Sequence, residues 1–177
     1  MTDTAVPALV TSPDVVRALL EGEQVVDLRP GVGDPPGPRF WLSPAAADGP
    51  PLKPAYRLAR QLSVPEEEPP PGQVRIGGWA ELAGRTSTRL DPERVAALES
   101  KTVLALDRLA EEVGGGDVTV LVLRVHRLFD PVTVPEDLSG LPEDPASLRS
   151  EPALSDVAFQ ARLQGVEAAV PGGLTKT

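Results

Sequence analysis

Six side chains in this sequence stand where chemistry could be done: Arg29, Trp41, Trp79, Glu81, Arg124 and His126. The lone histidine sits near the end of the long apolar run from Asp117 to Phe129. In an extended strand, residues two apart share a face. Val118, Val120, Val122, Arg124 and His126 therefore lie on one side, and Leu121, Leu123, Val125 and Arg127 on the other. Arg124 and His126 meet where the strand leaves the core, either as a pair facing a ligand or as a polar strand end satisfied by its neighbours. Trp41 and Trp79 are the two tryptophans of a chain that is only 3% aromatic. Each is opposite in parity to the apolar residues of its own short strand. An exposed indole beside Arg29, Arg39 or Arg75 would make a base-stacking or cation–π surface. The competing expectation is that both indoles plug the ends of a barrel, because Trp is usually largely buried.

Other chemistries find little support. The chain has no cysteine and one histidine, which excludes disulfides and thiolate metal sites and leaves no set of imidazoles for a metal. Glu99-Ser100-Lys101 matches the Glu-x-Lys letters of a metal-dependent nuclease, but falls inside a helical pattern rather than on the strand that such ligation needs. No Gly-x-Ser-x-Gly is present, and a lone histidine without a serine partner is no triad. Gly31-Val32-Gly33 and Gly114-Gly115-Gly116 read as turns, since neither opens a helix after a strand with the Lys or third glycine of a phosphate loop. No catalytic residue, metal or cofactor is assigned.

The net charge of −9 over 177 residues opposes non-specific attraction to nucleic acid, so phosphate binding would need a local basic patch. The basic residues are mostly arginine, with lysine only at Lys53, Lys101 and Lys176; alongside abundant Ala, Gly and Pro, this bias is that of a GC-rich genome. No apolar run approaches the ~20 residues of a membrane helix, and Met1-Thr2-Asp3-Thr4 lacks a basic signal-peptide start. The expected location is the cytoplasm, away from any membrane.

The elements that position these side chains can be read in order. After a tail over residues 1–7, Ser12-Pro13-Asp14 signals a helix start, with Val15, Val16, Leu19 and Leu20 as its stripe and Gly22 as its stop. Strands follow at Gln24–Arg29 and Arg39–Ser43, then a short helix over Leu52–Leu62. Residues 63–73, with Glu66-Glu67-Glu68 and Pro69-Pro70-Pro71, form a solvated loop. The strand Val74–Ala83 carries Gly77-Gly78 in its middle, which suggests a bulge or the close approach of another backbone. Asp91 and Pro92 open the strongest helical pattern, running to Val113. The Asp117–Phe129 strand belongs inside a sheet, Pro131–Pro135 is an edge or extended arm, and Ser155–Val170 is a terminal helix before a tail over 171–177. One domain spanning 8–170 results. Its irregular order argues against a doubly wound parallel sheet and for an α+β fold: a small, partly closed barrel of short strands flanked by helices, one of them long and central.

Several blocks in order (Ala18–Arg29, Arg39-Phe40-Trp41-Leu42-Ser43-Pro44, Leu52-Lys53-Pro54, Trp79-Ala80-Glu81, and Leu121–Leu128 with Pro131 and Pro135) resemble the bacterial domain-of-unknown-function family 1802. That family implies no established activity. Its members typically continue the first-strand Arg into Lys-Gly-Gly, where this chain has Pro30-Gly31-Val32. They usually carry Pro-Thr-x-x-His-Gln where this chain has Pro44-Ala45-Ala46-Ala47-Asp48-Gly49. A fainter likeness is to the PUA-like barrels of the ASCH type, which also follow a Gly-terminated helix with an Arg-bearing strand and then a strand similar to Gly77-Gly78-Trp79-Ala80-Glu81. This second likeness implies an RNA- or nucleotide-binding module.

The functional expectation is a non-catalytic ligand-binding module for RNA, DNA or a nucleotide, the arginines meeting phosphate or a base edge and a tryptophan stacking. The alternatives are a nucleic-acid-acting enzyme component of a defence or restriction-type system, and a scaffold that recruits a protein partner through its acidic, Pro-rich loop.

Overall fold

The computed structural model describes residues 6–31, 34–45, 52–62, 67–170 and 172–176. In chain order its elements are β1 (Ala8–Thr11), α1 (Pro13–Leu20), β2 (Val26–Pro30), β3 (Arg39–Pro44), α2 (Pro54–Leu62), β4 (Gln73–Arg89), α3 (Pro92–Leu98), a 3-10 turn (Glu99–Lys101), α4 (Leu106–Val113), β5 (Asp117–Pro135), a second 3-10 turn (Pro145–Ser147), β6 (Ser150–Pro152), α5 (Asp156–Ala169) and β7 (Thr175–Lys176). None of the described helices is long and apolar enough to cross a membrane.

The helix starts follow from local chemistry. Ser12 Oγ accepts from the Val15 amide at 3.4 Å and Pro13 takes the first helical position of α1, where its missing N–H costs nothing. Ser155 caps α5 in the same way, accepting from Ala158 N at 3.2 Å.

The strands form one sheet in the order β1-β3-β4-β5-β2, with β6 added to β5 and β7 to β4. Among the described residues only β1 on β3 is parallel; the other strand pairings are antiparallel. The fold is α+β. The two ends of the path come within side-chain reach of each other: Arg29 donates to Val10 O at 2.7 Å, and Thr11 Oγ1 donates to Asp27 Oδ1 at 3.1 Å. The sheet thus curls into a small, partly closed barrel whose seam is joined by side chains.

The main core is made of Val, Leu and Ala with two phenylalanines, Phe40 and Phe159. Val118 to Leu123 are buried on both faces of β5, as an all-apolar central strand requires. Helices close this core with Leu19, Leu98, Leu109 and Val166. A second cluster lies around Trp41 and Trp79, with Ile76, Leu128, Leu138 and Leu141.

Three expectations need correction. The long central helix from Pro92 to Val113 is broken into α3, a 3-10 turn and α4. Gln24 causes the break from inside: its buried Oε1 accepts from the Val103 amide at 2.9 Å and from Thr102 Oγ1 at 3.4 Å. The Val103 carbonyl accepts from Lys53 N at 2.9 Å, and Leu104 bridges to Leu52. β-branched Thr102 and Val103 suit this extended excursion, and each shorter helix still turns leucines into the core, Leu98 from α3 and Leu106 and Leu109 from α4. Second, β4 continues past Ala83 to Arg89, its polar end paired with residues 117–122 of β5. Third, the expected tails are partly ordered: Pro7 O accepts from Trp41 N at 3.0 Å, and Thr175–Lys176 pair with Gly84–Arg85. The altered 45–49 stretch lies outside the described residues except for Ala45, as do Val32 and Gly33 and the loop's residues 63–66.

Candidate functional site

Strand register assembles the site. Arg39 on β3 faces Glu81 on β4, which faces Arg124 on β5. One step along, Trp41 faces Trp79, which faces His126. Residues directly opposite across a ladder share a face, so two parallel rows, Arg39–Glu81–Arg124 and Trp41–Trp79–His126, cross three strands on one side of the sheet.

The upper row is an ionic chain. Arg39 Nε donates to Glu81 Oε1 at 3.0 Å, and Glu81 Oε2 lies 3.4 Å from His126 Nε2. Arg39 also reaches Asp144, at 3.8 Å. Arg124 pairs with Asp156 at the start of α5 and stands over the Phe159 ring, 5.1 Å from its centroid. The partners Asp144 and Asp156 are 63% and 84% exposed, so the guanidinium groups are held by carboxylates at the water boundary. Glu81 is shared between two bases, which leaves it little freedom to rotate.

The lower row is largely dry. Trp79 and His126 stack at 4.0 Å with 10° between their planes. Trp79 Nε1 donates to Ser150 Oγ at 3.1 Å and Trp41 Nε1 to Pro142 O at 3.0 Å, as buried indoles require. The expectation of an exposed indole platform is overturned: Trp41 is fully buried and Trp79 nearly so. Their face is opposite the main core, as parity indicates, but the chain from Val134 through Leu141 folds back over it. Any stacking surface here must be the imidazole of His126 rather than an indole.

Burial holds the His126 imidazole below its ordinary pKa; the Glu81 contact opposes this, and Arg124 and Arg39 add to it. A depressed value means that the folded state binds this proton less readily than the unfolded chain. The associated stability is present above the ordinary imidazole value and is lost as pH falls through the folded one. The single histidine makes the measurement clean. Its resonance should titrate with a midpoint below 6.5, and Glu81→Gln, removing the group that raises it, should move the midpoint lower still.

Five of the six residues singled out from sequence thus share one face. Arg29 does not join them. It lies opposite Thr119 at the barrel seam, with Asp27 Oδ2 at 3.7 Å. Asp27, two residues before Arg29 on β2, is only 1% exposed, and among the described residues its Oδ2 has no hydrogen-bond partner. Burial pushes its carboxyl pKa up, against the Arg29 charge and the Thr11 hydroxyl. Sequence reasoning treated Arg39 only as a neighbour of an indole and missed Asp144 and Asp156, which come from outside the strands and carry no local signal.

Among solved structures, the chain is similar to three crystal structures of ASCH from Zymomonas mobilis. A serine-to-alanine variant aligns at 14% identity and TM-score 0.45, over 100% of this chain and 91% of that one. The unsubstituted protein aligns at 14% and 0.44, over 99% and 89%. A tyrosine-to-phenylalanine variant aligns at 14% and 0.46, over 89% and 95%. No curated protein matches the sequence. The family model described as "Domain of unknown function (DUF1802)" matches residues 8–165, nearly the whole length, and the chain therefore belongs to the DUF1802 family.

Proposed function

We propose that this domain binds a nucleotide or a nucleic-acid strand without transforming it, through the face formed by Arg39, Glu81, Arg124 and His126. The observation that carries this reading is the ionic row itself, in which each arginine is held by a carboxylate that water already reaches. Exposed ion pairs of this kind are worth about 0–1 kcal/mol. A phosphate, which accepts two parallel N–H bonds from one guanidinium, can displace such a partner at small cost. His126 is neutral at pH 7 by the direction of its shift; with its Nε2–H directed to Glu81 Oε2, the ring offers Nδ1 as an acceptor to a base edge. Trp79 behind it fixes the ring plane.

The chain's net charge of −9 limits how many phosphates it attracts. With two arginines engaged, affinity for a single strand should fall with salt at a log–log slope of about −1.4. Fluorescence polarisation with short labelled RNA and DNA checks this: saturable binding with that slope, weakened by Arg39→Ala and Arg124→Ala, is the expected result. Binding to neither oligonucleotide nor mononucleotide contradicts it.

A second reading, an enzyme acting on nucleic acid, draws on the Glu81–His126 contact, a carboxylate and an imidazole placed to share a proton. Cleavage of the oligonucleotide that Glu81→Ala abolishes would replace the binding reading with this one.

A further inference from the structure

The geometry points to a second site, a cleft beneath α1 that takes a short apolar peptide bearing both a free ammonium and a free carboxylate. The cleft measures about 390 Å³, within the range of small-molecule sites, and borders the second cluster, from which it takes Val74 and Leu128. One wall is a stripe of α1, with Pro13, Val16, Arg17 and Leu20 at helical spacing. The other combines Val74 and Arg75 of β4 with Leu128 and Pro131 of β5.

Two features of the sequence open it. The β4–β5 register jumps from Gly78 opposite Arg127 to Ile76 opposite Val132, so residues 128–131 of β5 are pushed out as a rim. Gly77, on the floor, has no side chain where one would meet Leu20 Cδ1 at 3.0 Å. The lining between the charged groups is apolar: valine, leucine and proline.

The charges decide the ligand class. Arg17 pairs with Glu21 at 3.3 Å and Arg127 with Glu151 at 3.2 Å. That leaves exposed Arg75 on one wall and exposed Glu67 and Glu68 at the lip, none of which has an ionic partner among the described residues. A ligand with only an anionic group would satisfy Arg75 and leave it to share the cleft with two free carboxylates. A purely cationic ligand would leave Arg75 unused. An apolar body with one charge of each sign matches floor, wall and lip together.

Calorimetric titration of the full chain with the dipeptide leucyl-phenylalanine tests this. Saturable binding is expected, weakened about tenfold when the dipeptide is amidated at its carboxylate or when Arg75→Ala removes the guanidinium, with no further loss when both changes are combined. Acetylating the amine should weaken binding comparably, as should Glu67→Gln with Glu68→Gln. All three residues are exposed, so these variants should keep the fold. Absence of saturable heat up to about 10 mM dipeptide, equal affinity for the blocked and free forms, or tighter binding of decanoate than of the dipeptide would each overturn the proposal.

Discussion

Gly78→Ala should cost the fold about 3 kcal/mol, the upper end of what overpacking usually takes. A Cβ built at this position lies 2.4 Å from the His126 carbonyl oxygen and 2.4 Å from Leu20 Cδ2. Leu20 is a flexible tip that can swing away. The His126 carbonyl belongs to the neighbouring strand, directly beside the register jump between β4 and β5, and cannot move without parting β4 from β5. Gly77→Ala makes the natural control, since its Cβ would meet only Leu20 Cδ1, at 3.0 Å, and should cost about 1 kcal/mol or less. Urea denaturation of the two variants measures the difference, with midpoints shifted and slopes unchanged. Equal losses would mean that α1, rather than the strand pairing, sets the requirement for glycine. The same substitution should disturb His126, because the atom it displaces is that residue's own carbonyl.

Trp41→Ala should be comparably severe, costing about 3–5 kcal/mol. The indole is fully buried, pairs across the ladder with Trp79, and holds the returning chain by donating to the Pro142 carbonyl at 3.0 Å. Its removal empties the centre of the second cluster, where Ile76, Leu128, Leu138, Leu141 and two valines remain beside Trp79. Trp41→Phe keeps most of the apolar volume and loses the hydrogen bond, so about 1–2 kcal/mol is expected. Thermal or chemical unfolding ranks the two. Limited proteolysis adds a local readout: cleavage between 136 and 148 should accelerate in Trp41→Ala well before global unfolding. If the alanine variant is no less stable than the phenylalanine one, the second cluster does not anchor that segment.

How much of this was legible in the sequence depended on whether a feature was local. Ser12-Pro13 announced α1, Ser155 announced α5, and Gly77-Gly78 announced a bulge or the close approach of another backbone, the latter supplied by the His126 carbonyl; each signal lies within a few residues. Parity along β5 correctly put Arg124 and His126 on one face. The break between α3 and α4 was not legible, because its cause is the side chain of Gln24, some 80 residues away in sequence. The burial of both tryptophans was also hidden. Parity gave their side of the sheet but could not show that residues 134–141 return to cover it. β1 carries only four residues and pairs in parallel with β3, a pattern too short to be assigned any element ahead of α1. For the candidate site, the residue types were visible and their assembly was not: nothing in Arg39, Glu81 and Arg124 taken separately says that register aligns them across three strands.

Because His126 is the only histidine, its imidazole resonance reports on this face without assignment ambiguity. The decisive measurement follows that resonance while a mononucleotide, and then a short single-stranded oligonucleotide, is added at constant pH and salt. Binding at the Arg39–Glu81–Arg124 row predicts a saturable shift of the His126 signal that disappears when Arg39→Ala and Arg124→Ala are combined. A ligand that binds by calorimetry while leaving the His126 resonance unmoved, or a shift that survives loss of both arginines, would contradict it.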